Sequence, residues 1–145
     1  MNFFHWQARK LMPLLAWGGI SVVVGMAGTR SRDEATRQAA FQTAGWGAVD
    51  ALIAVVGRRS ALRKAQQRQA NEIGVADETK ARHALRRVLL INAALDVGYV
   101  TAGVALIRSP RAQRRGMGWG ILVQGAFLLI YDLEFAAALA GEVAS

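Results

Sequence analysis

Asn92, Asp96 and Tyr99 stand four and three residues apart inside "VLLINAALDVGYVTAGVALI", residues 88–107, a run otherwise apolar enough to cross a bilayer. On a helix those spacings place the three side chains on one face. Asp50 interrupts a second apolar run, Ser21 lies within a first, and Gln124 and Asp132 lie along a fourth. An ionisable side chain at the bilayer centre costs about 2.5–3.5 kcal/mol on insertion scales, so each of these acids needs a chemical reason. No Lys, Arg or His lies within the apolar cores to pair them. Three arrangements suit such acids: a protonated carboxyl donating a hydrogen bond, two carboxyls sharing a proton, or a bound cation.

The plainest of these is interhelix glue, a neutral Asp bonded to Asn or Gln across a packing seam, worth about 0.6 kcal/mol on average. A proton or cation site is the sharper alternative. Depth follows from the helical rise of about 1.5 Å per residue. Counted from helix ends near Leu11, Gly57, Val88 and Gly116, it brings Ser21, Asp50 and Asp96 to a similar level and Gln124 to within about two turns of it. The expectation is one polar layer across a bundle, with Asn92 and Tyr99 on the same face as Asp96 and with Asp132 nearer the membrane surface.

Other chemistry is hard to find. The chain has no cysteine, which excludes disulfides, thiolate catalysis and Cys-based metal sites. His5 and His83 lie in segments flanking the apolar runs, far apart in sequence. "RRGMGWG", residues 114–120, matches neither phosphate-loop nor dinucleotide-loop spacing and begins an apolar run instead of following a strand. There is no H-E-x-x-H and no G-x-S-x-G. The expectation is no enzyme, no metal and no cofactor.

The elements that must position the polar residues are four runs of low charge, at about 11–28, 39–57, 88–107 and 116–137. A transmembrane helix needs roughly 20 mostly apolar residues. "LLAWGGISVVVGMAG" offers no polar face of the kind a soluble bundle presents to water. With 53% hydrophobic and 19% charged residues, segregated from one another, the chain reads as an all-α polytopic membrane protein. Four transmembrane helices would form one membrane domain over 1–145. The first run superficially resembles a signal peptide, but three further hydrophobic runs favour a retained first helix.

All 18 Lys and Arg lie between or before these runs, nine of them in the loop 58–87. The net charge of +8 therefore suits anionic lipid head groups, worth about 1 kcal/mol per basic residue near the surface. Nucleic acid is rejected as a partner, because no soluble domain is left over to carry a basic patch. With four spans, 11 basic residues share the side of the termini and the long loop, against 7 on the other. That bias predicts both termini in the cytoplasm. Within the loop, "SALRKAQQRQANE" is rich in helix formers, Gly74 interrupts it, and Asp77 is placed to cap a second helix, "ETKARHALRR".

Ser21/Gly25, Ala94/Gly98 and Gly116/Gly120 are small residues four apart, the spacing that lets membrane helices approach closely. Trp17, Trp46 and Trp119 are expected as anchors at the membrane surface. "GWG" recurs at 45–47 and 118–120, but the two halves otherwise align no better than Ala- and Gly-rich composition gives.

"LLINAALDVGYVTAGVAL" followed by "RRGMGWGILVQGAFLLIYDL" resembles an uncharacterised bacterial family of short, four-helix membrane proteins. The matching positions are Asn92, Asp96, Tyr99, Gln124, Gly125, Phe127, Leu128, Leu129 and Asp132. "GWGAVDALIAVVG" looks like that family's second helix, where an amide is more usual than Asp50. The resemblance implies the fold and location, a multi-pass protein of the bacterial inner membrane, and brings no activity. The leading expectation for function is a non-enzymatic accessory or scaffold subunit, packing as a homo-oligomer or in a larger membrane complex. The alternatives are a proton- or cation-conducting, transporter-like protein using the Asp/Gln layer, and a lipid- or quinone-binding protein.

Overall fold

Pro13 marks where a short helix ends and the first apolar run begins its own. In the computed structural model, which describes residues 2–141, α1 (Phe3–Lys10) ends at Leu11 and α2 (Met12–Gly28) carries Pro13 in its first turn. Proline is tolerated there, where its missing N–H would find no helical acceptor, and is disruptive further in. Asn2 starts α1 by accepting a hydrogen bond from the His5 N–H at 3.0 Å. At the break, the carbonyl of Lys10 accepts from the Tyr131 hydroxyl at 3.0 Å.

Three longer helices follow: α3 (Glu34–Gln69), α4 (Val75–Ile107) and α5 (Ala112–Gly141). Asp33 caps α3, accepting from both the hydroxyl and the N–H of Thr36 at 2.7 Å. Those two bonds hold its carboxyl below the usual carboxylate range. Asn71, in the left-handed region at φ 59°, ends the helix as a C-cap residue can. The Glu72 N–H then returns to the Gln67 carbonyl at 2.9 Å. The basic segment 58–87 is thus two helical extensions joined by a short turn. The second begins earlier than the sequence suggests: Gly74 is the N-cap, and Asp77 sits inside the first turn, accepting from the Gly74 N–H at 3.4 Å.

Phe3–Gly28, Glu34–Gln69, Val75–Ile107 and Ala112–Gly141 are each long and apolar enough to cross a membrane. The described residues form an all-α protein. Its helices pack as two hairpins, α2 on α3 and α4 on α5, joined where α3 meets α5. The buried stripes consist mostly of small residues, such as Ala40, Gly47, Ala54, Ala61 and Ala65 on α3. Each hairpin closes on a glycine pair. A Cβ added at Gly18 would stand 2.6 Å from the Gly47 carbonyl, and one at Gly118 would stand 2.8 Å from the Gly103 carbonyl. Backbones this close gain van der Waals contact, the main source of helix association in lipid.

The large apolar side chains gather at one end, around the α3–α4 turn. There α1 folds onto α3, and Phe3, Phe4, Leu14, Leu89, Phe135 and Leu139 form a core. Residues 2–10 read as a flank in the sequence, yet they form this plug. Glu78 holds it, accepting from the Phe3 N–H at 3.2 Å and from Arg68 Nε at 3.0 Å. Asn2 adds a bond to the Ala65 carbonyl at 3.1 Å. Further along the bundle, α3 and α4 are not packed along their lengths although they are consecutive, and α5 lies behind the gap.

Candidate functional site

The polar residues divide into two groups, where one layer was expected. In the first, Gln124 of α5 joins three helices. Its Oε1 accepts from Trp17 Nε1 at 2.6 Å, and its Nε2 donates to Ser21 Oγ at 3.1 Å and to the Thr43 carbonyl at 3.4 Å. Trp17 also stacks on Phe127, with ring centroids 4.1 Å apart. Thr43 lies seven residues from Asp50 on α3, about 10 Å along a helix. Gln124 therefore sits about two turns from Asp50, Ser21 packs on Gly47 about one turn from it, and every polar atom of the glutamine side chain is bonded.

The second group lines the gap between α3 and α4. Asp50 comes from α3, Asp96 from α4 and Asp132 from α5, and all three border one cleft of about 360 Å³. They are 2%, 4% and 5% exposed. Each stands on its helix's buried stripe, where an apolar residue would ordinarily pack. Asn92, one turn from Asp96, borders the same cleft. Asp50 Oδ2 and Asp96 Oδ2 have no hydrogen-bond partner. The three carboxyls are near enough to act on one another electrostatically.

Val49 and Ile53 of α3 and Leu95 of α4 form apolar walls and are themselves substantially exposed, so the cleft opens sideways. Tyr99 stands at the mouth, 41% exposed, with its ring edge-on to Trp46 at 5.4 Å. None of the described Lys, Arg or His residues lines the cleft. Among the described residues, no three His, Cys, Asp or Glu side chains are arranged to hold a metal ion. Asp132, placed by the sequence nearer the surface, faces the same cleft as Asp50 and Asp96.

Residues 13–133 match DUF6992, a family of unknown function. The chain belongs to that family. No curated protein and no solved structure matches it. Both polar groups lie inside the family's span, and α1 lies outside it. Membership brings no activity with it, so the chemistry rests on the residues themselves.

The remaining expected positions fall in several places. Gly25 packs on Ala40 and Ala44, Gly116 on Ala35, and Gly120 on Ala39 and Gln42. Gly98 differs: a Cβ there would meet nothing, so it faces outward. Trp17 is a half-buried hydrogen-bond donor to Gln124, Trp46 belongs to the cleft's mouth, and Trp119 is exposed. His5 and His83 lie outside both groups; His5 Nε2 is 3.4 Å from Gln69 Nε2. Tyr131, Glu78 and the pairs Gly18/Gly47 and Gly103/Gly118 escaped the sequence reading. Gly18 continues the Ser21/Gly25 stripe at helical spacing, a signal that was there to be used.

Proposed function

We propose that this is a non-enzymatic, four-span membrane protein that binds a small amphiphilic molecule in the cleft between α3 and α4. The supporting observation is the pair of buried, unpartnered atoms, Asp50 Oδ2 and Asp96 Oδ2, bordering a cleft of about 360 Å³. Gln124 is what interhelix glue looks like in this fold, and the acids do not resemble it. A buried polar group without a partner costs about 1–3 kcal/mol. A protein that keeps two of them beside an open cleft is complete only when something in the cleft supplies their partner. The volume lies in the range of small-molecule pockets, which combine apolar walls with a few polar groups. The sideways opening suits a ligand arriving from the bilayer.

Native mass spectrometry of the full chain, released from membranes in mild detergent, tests this reading. The expected result is a retained small molecule, lost when Val49→Trp fills the cleft. Bare protein from both chains would overturn it.

A second reading, an accessory or scaffold subunit, draws support from Gly19, Gly45 and Gly98, where an added Cβ would meet nothing. Such outward small residues let another helix approach. Recovery only as a monomer would count against it. For the location we propose the bacterial cytoplasmic membrane, with both termini inside and the basic 58–87 segment against anionic head groups, as the Lys and Arg distribution favours.

A further inference from the structure

The chemistry of the cleft narrows its ligand, given the binding reading above. We infer that the occupant is a hydrophobic organic cation, an amine or other positively charged head joined to an apolar body. Three carboxyl groups from three helices border the cleft, and none of the described basic side chains does. The charge that would balance them must come from the ligand or from protons. A phosphate or carboxylate head would meet only like charge, which costs several kcal/mol across an interface. A ligand offering only carbonyl oxygens would satisfy Asp50 Oδ2 and Asp96 Oδ2 only in their protonated form and would leave the ionised carboxylates without a donor. An ammonium or guanidinium head supplies both positive charge and N–H donors, and a phosphonium supplies the charge, the property that excludes the other classes.

The arrangement of the acids separates an organic cation from an inorganic one. A metal site needs several oxygens converging within about 2.0–2.6 Å of one point. Among the described residues no such group of side chains exists. Asp50, Asp96 and Asp132 instead come from α3, α4 and α5, around a space large enough for an organic head. Ile53, Leu95 and Leu128 line the rest of that space and would receive the apolar body. At the mouth, Trp46 and Tyr99 bring two aromatic rings together edge-to-face, and such rings attract cations.

Two ions of matched size and opposite charge test the inference. Radiolabelled tetraphenylphosphonium and tetraphenylborate would be titrated against the full chain in phosphatidylcholine nanodiscs, with empty nanodiscs as background. The expected result is saturable binding of the phosphonium at least about tenfold tighter than of the borate. Asp50→Asn and Asp96→Asn should each weaken phosphonium binding by about tenfold or more, while Gly98→Ala, outside the cleft, leaves it unchanged. Equal binding of the two ions, phosphonium binding indifferent to both Asp substitutions, or none above background would overturn the inference. Should either Asn variant fail to fold, the comparison of the two ions on the unaltered chain decides by itself. A neutral amphiphile retained in native mass spectrometry, with no phosphonium binding, would sink the cation and leave the binding reading standing. Failure of both experiments would remove both.

Discussion

The indole N–H of Trp17 donates to the side-chain carbonyl of Gln124 at 2.6 Å, across 107 residues of chain. Both donors of the same amide are used, on Ser21 and on the Thr43 carbonyl. One residue of α5 thereby fixes the register of α2 and α3, with no charge involved. Gln124→Leu should cost about 2 kcal/mol, from three bonds at membrane values of about 0.6 kcal/mol each. Trp17→Phe keeps the stack on Phe127 and should lose only one bond's worth. Unfolding in mixed micelles with increasing SDS measures both. Equal losses would mean that the stack, and not the amide, holds the helices.

Glycines on the same helices should respond in opposite ways. A Cβ at Gly18 would press on the Gly47 carbonyl and the Ala51 N–H, each at 2.6 Å, and both are backbone atoms that cannot swing aside. Gly18→Ala should therefore destabilise by about 1–3 kcal/mol, the usual cost of overpacking. Gly19→Ala meets nothing and should be neutral or slightly stabilising, since alanine is the better helix former. Gly103→Ala and Gly98→Ala form the equivalent pair on α4. The same unfolding assay reads all four, and no difference within the pairs would remove the close approach as a source of stability.

Much of this architecture is legible from residue types alone, because hydrophobic length and charge segregation answer to the bilayer and not to tertiary detail. The four runs, the two extensions of the basic segment and the break near Gly74 all follow from such local signals. Azimuth was harder to read. Gly98 and Gly103 are both glycines of α4, yet only Gly103 meets a neighbour, and that depends on how α5 is rotated. Depth counting places Gln124 only to within about two turns of Asp50, because it has to assume the length of the fourth helix. The observed helices run well past the apolar runs, and Gln124 lies level with Thr43. The cleft itself arises because consecutive helices α3 and α4 are held apart, a relationship with no local signature.

Glu78 should control the N-terminal plug. It accepts from the Phe3 N–H and from Arg68, and lies 3.7 Å from Arg82. Hydrogen bonds to a charged group are worth about 1.5–3 kcal/mol, discounted here because the ion pairs are partly open to solvent. Glu78→Ala should free α1 from the α3–α4 turn without unfolding the spans. Hydrogen–deuterium exchange would show it as faster exchange in residues 3–10, with the apolar centres of α3 and α5 unchanged. Uniform acceleration throughout the chain would instead make Glu78 a global stabiliser.

The cleft acids should separate stability from binding. If Asp50 were glue, its removal would cost stability as Gln124→Leu does. Asp50 Oδ2 and Asp96 Oδ2 have no partner to lose, so Asp50→Leu exchanges an unsatisfied carboxyl for apolar surface. That change should stabilise the fold by about 1–3 kcal/mol while abolishing ligand binding, the trade-off expected where function keeps a group that folding would discard. Asp132→Leu differs because Asp132 is not among the residues with a buried oxygen left without a partner, and it should be neutral or mildly destabilising. SDS unfolding paired with phosphonium binding reads both quantities on the same samples. A destabilised Asp50→Leu chain would return the acids to the role of glue, whereas a stabilised, non-binding one would show that α3 carries its carboxyl for the sake of the cleft.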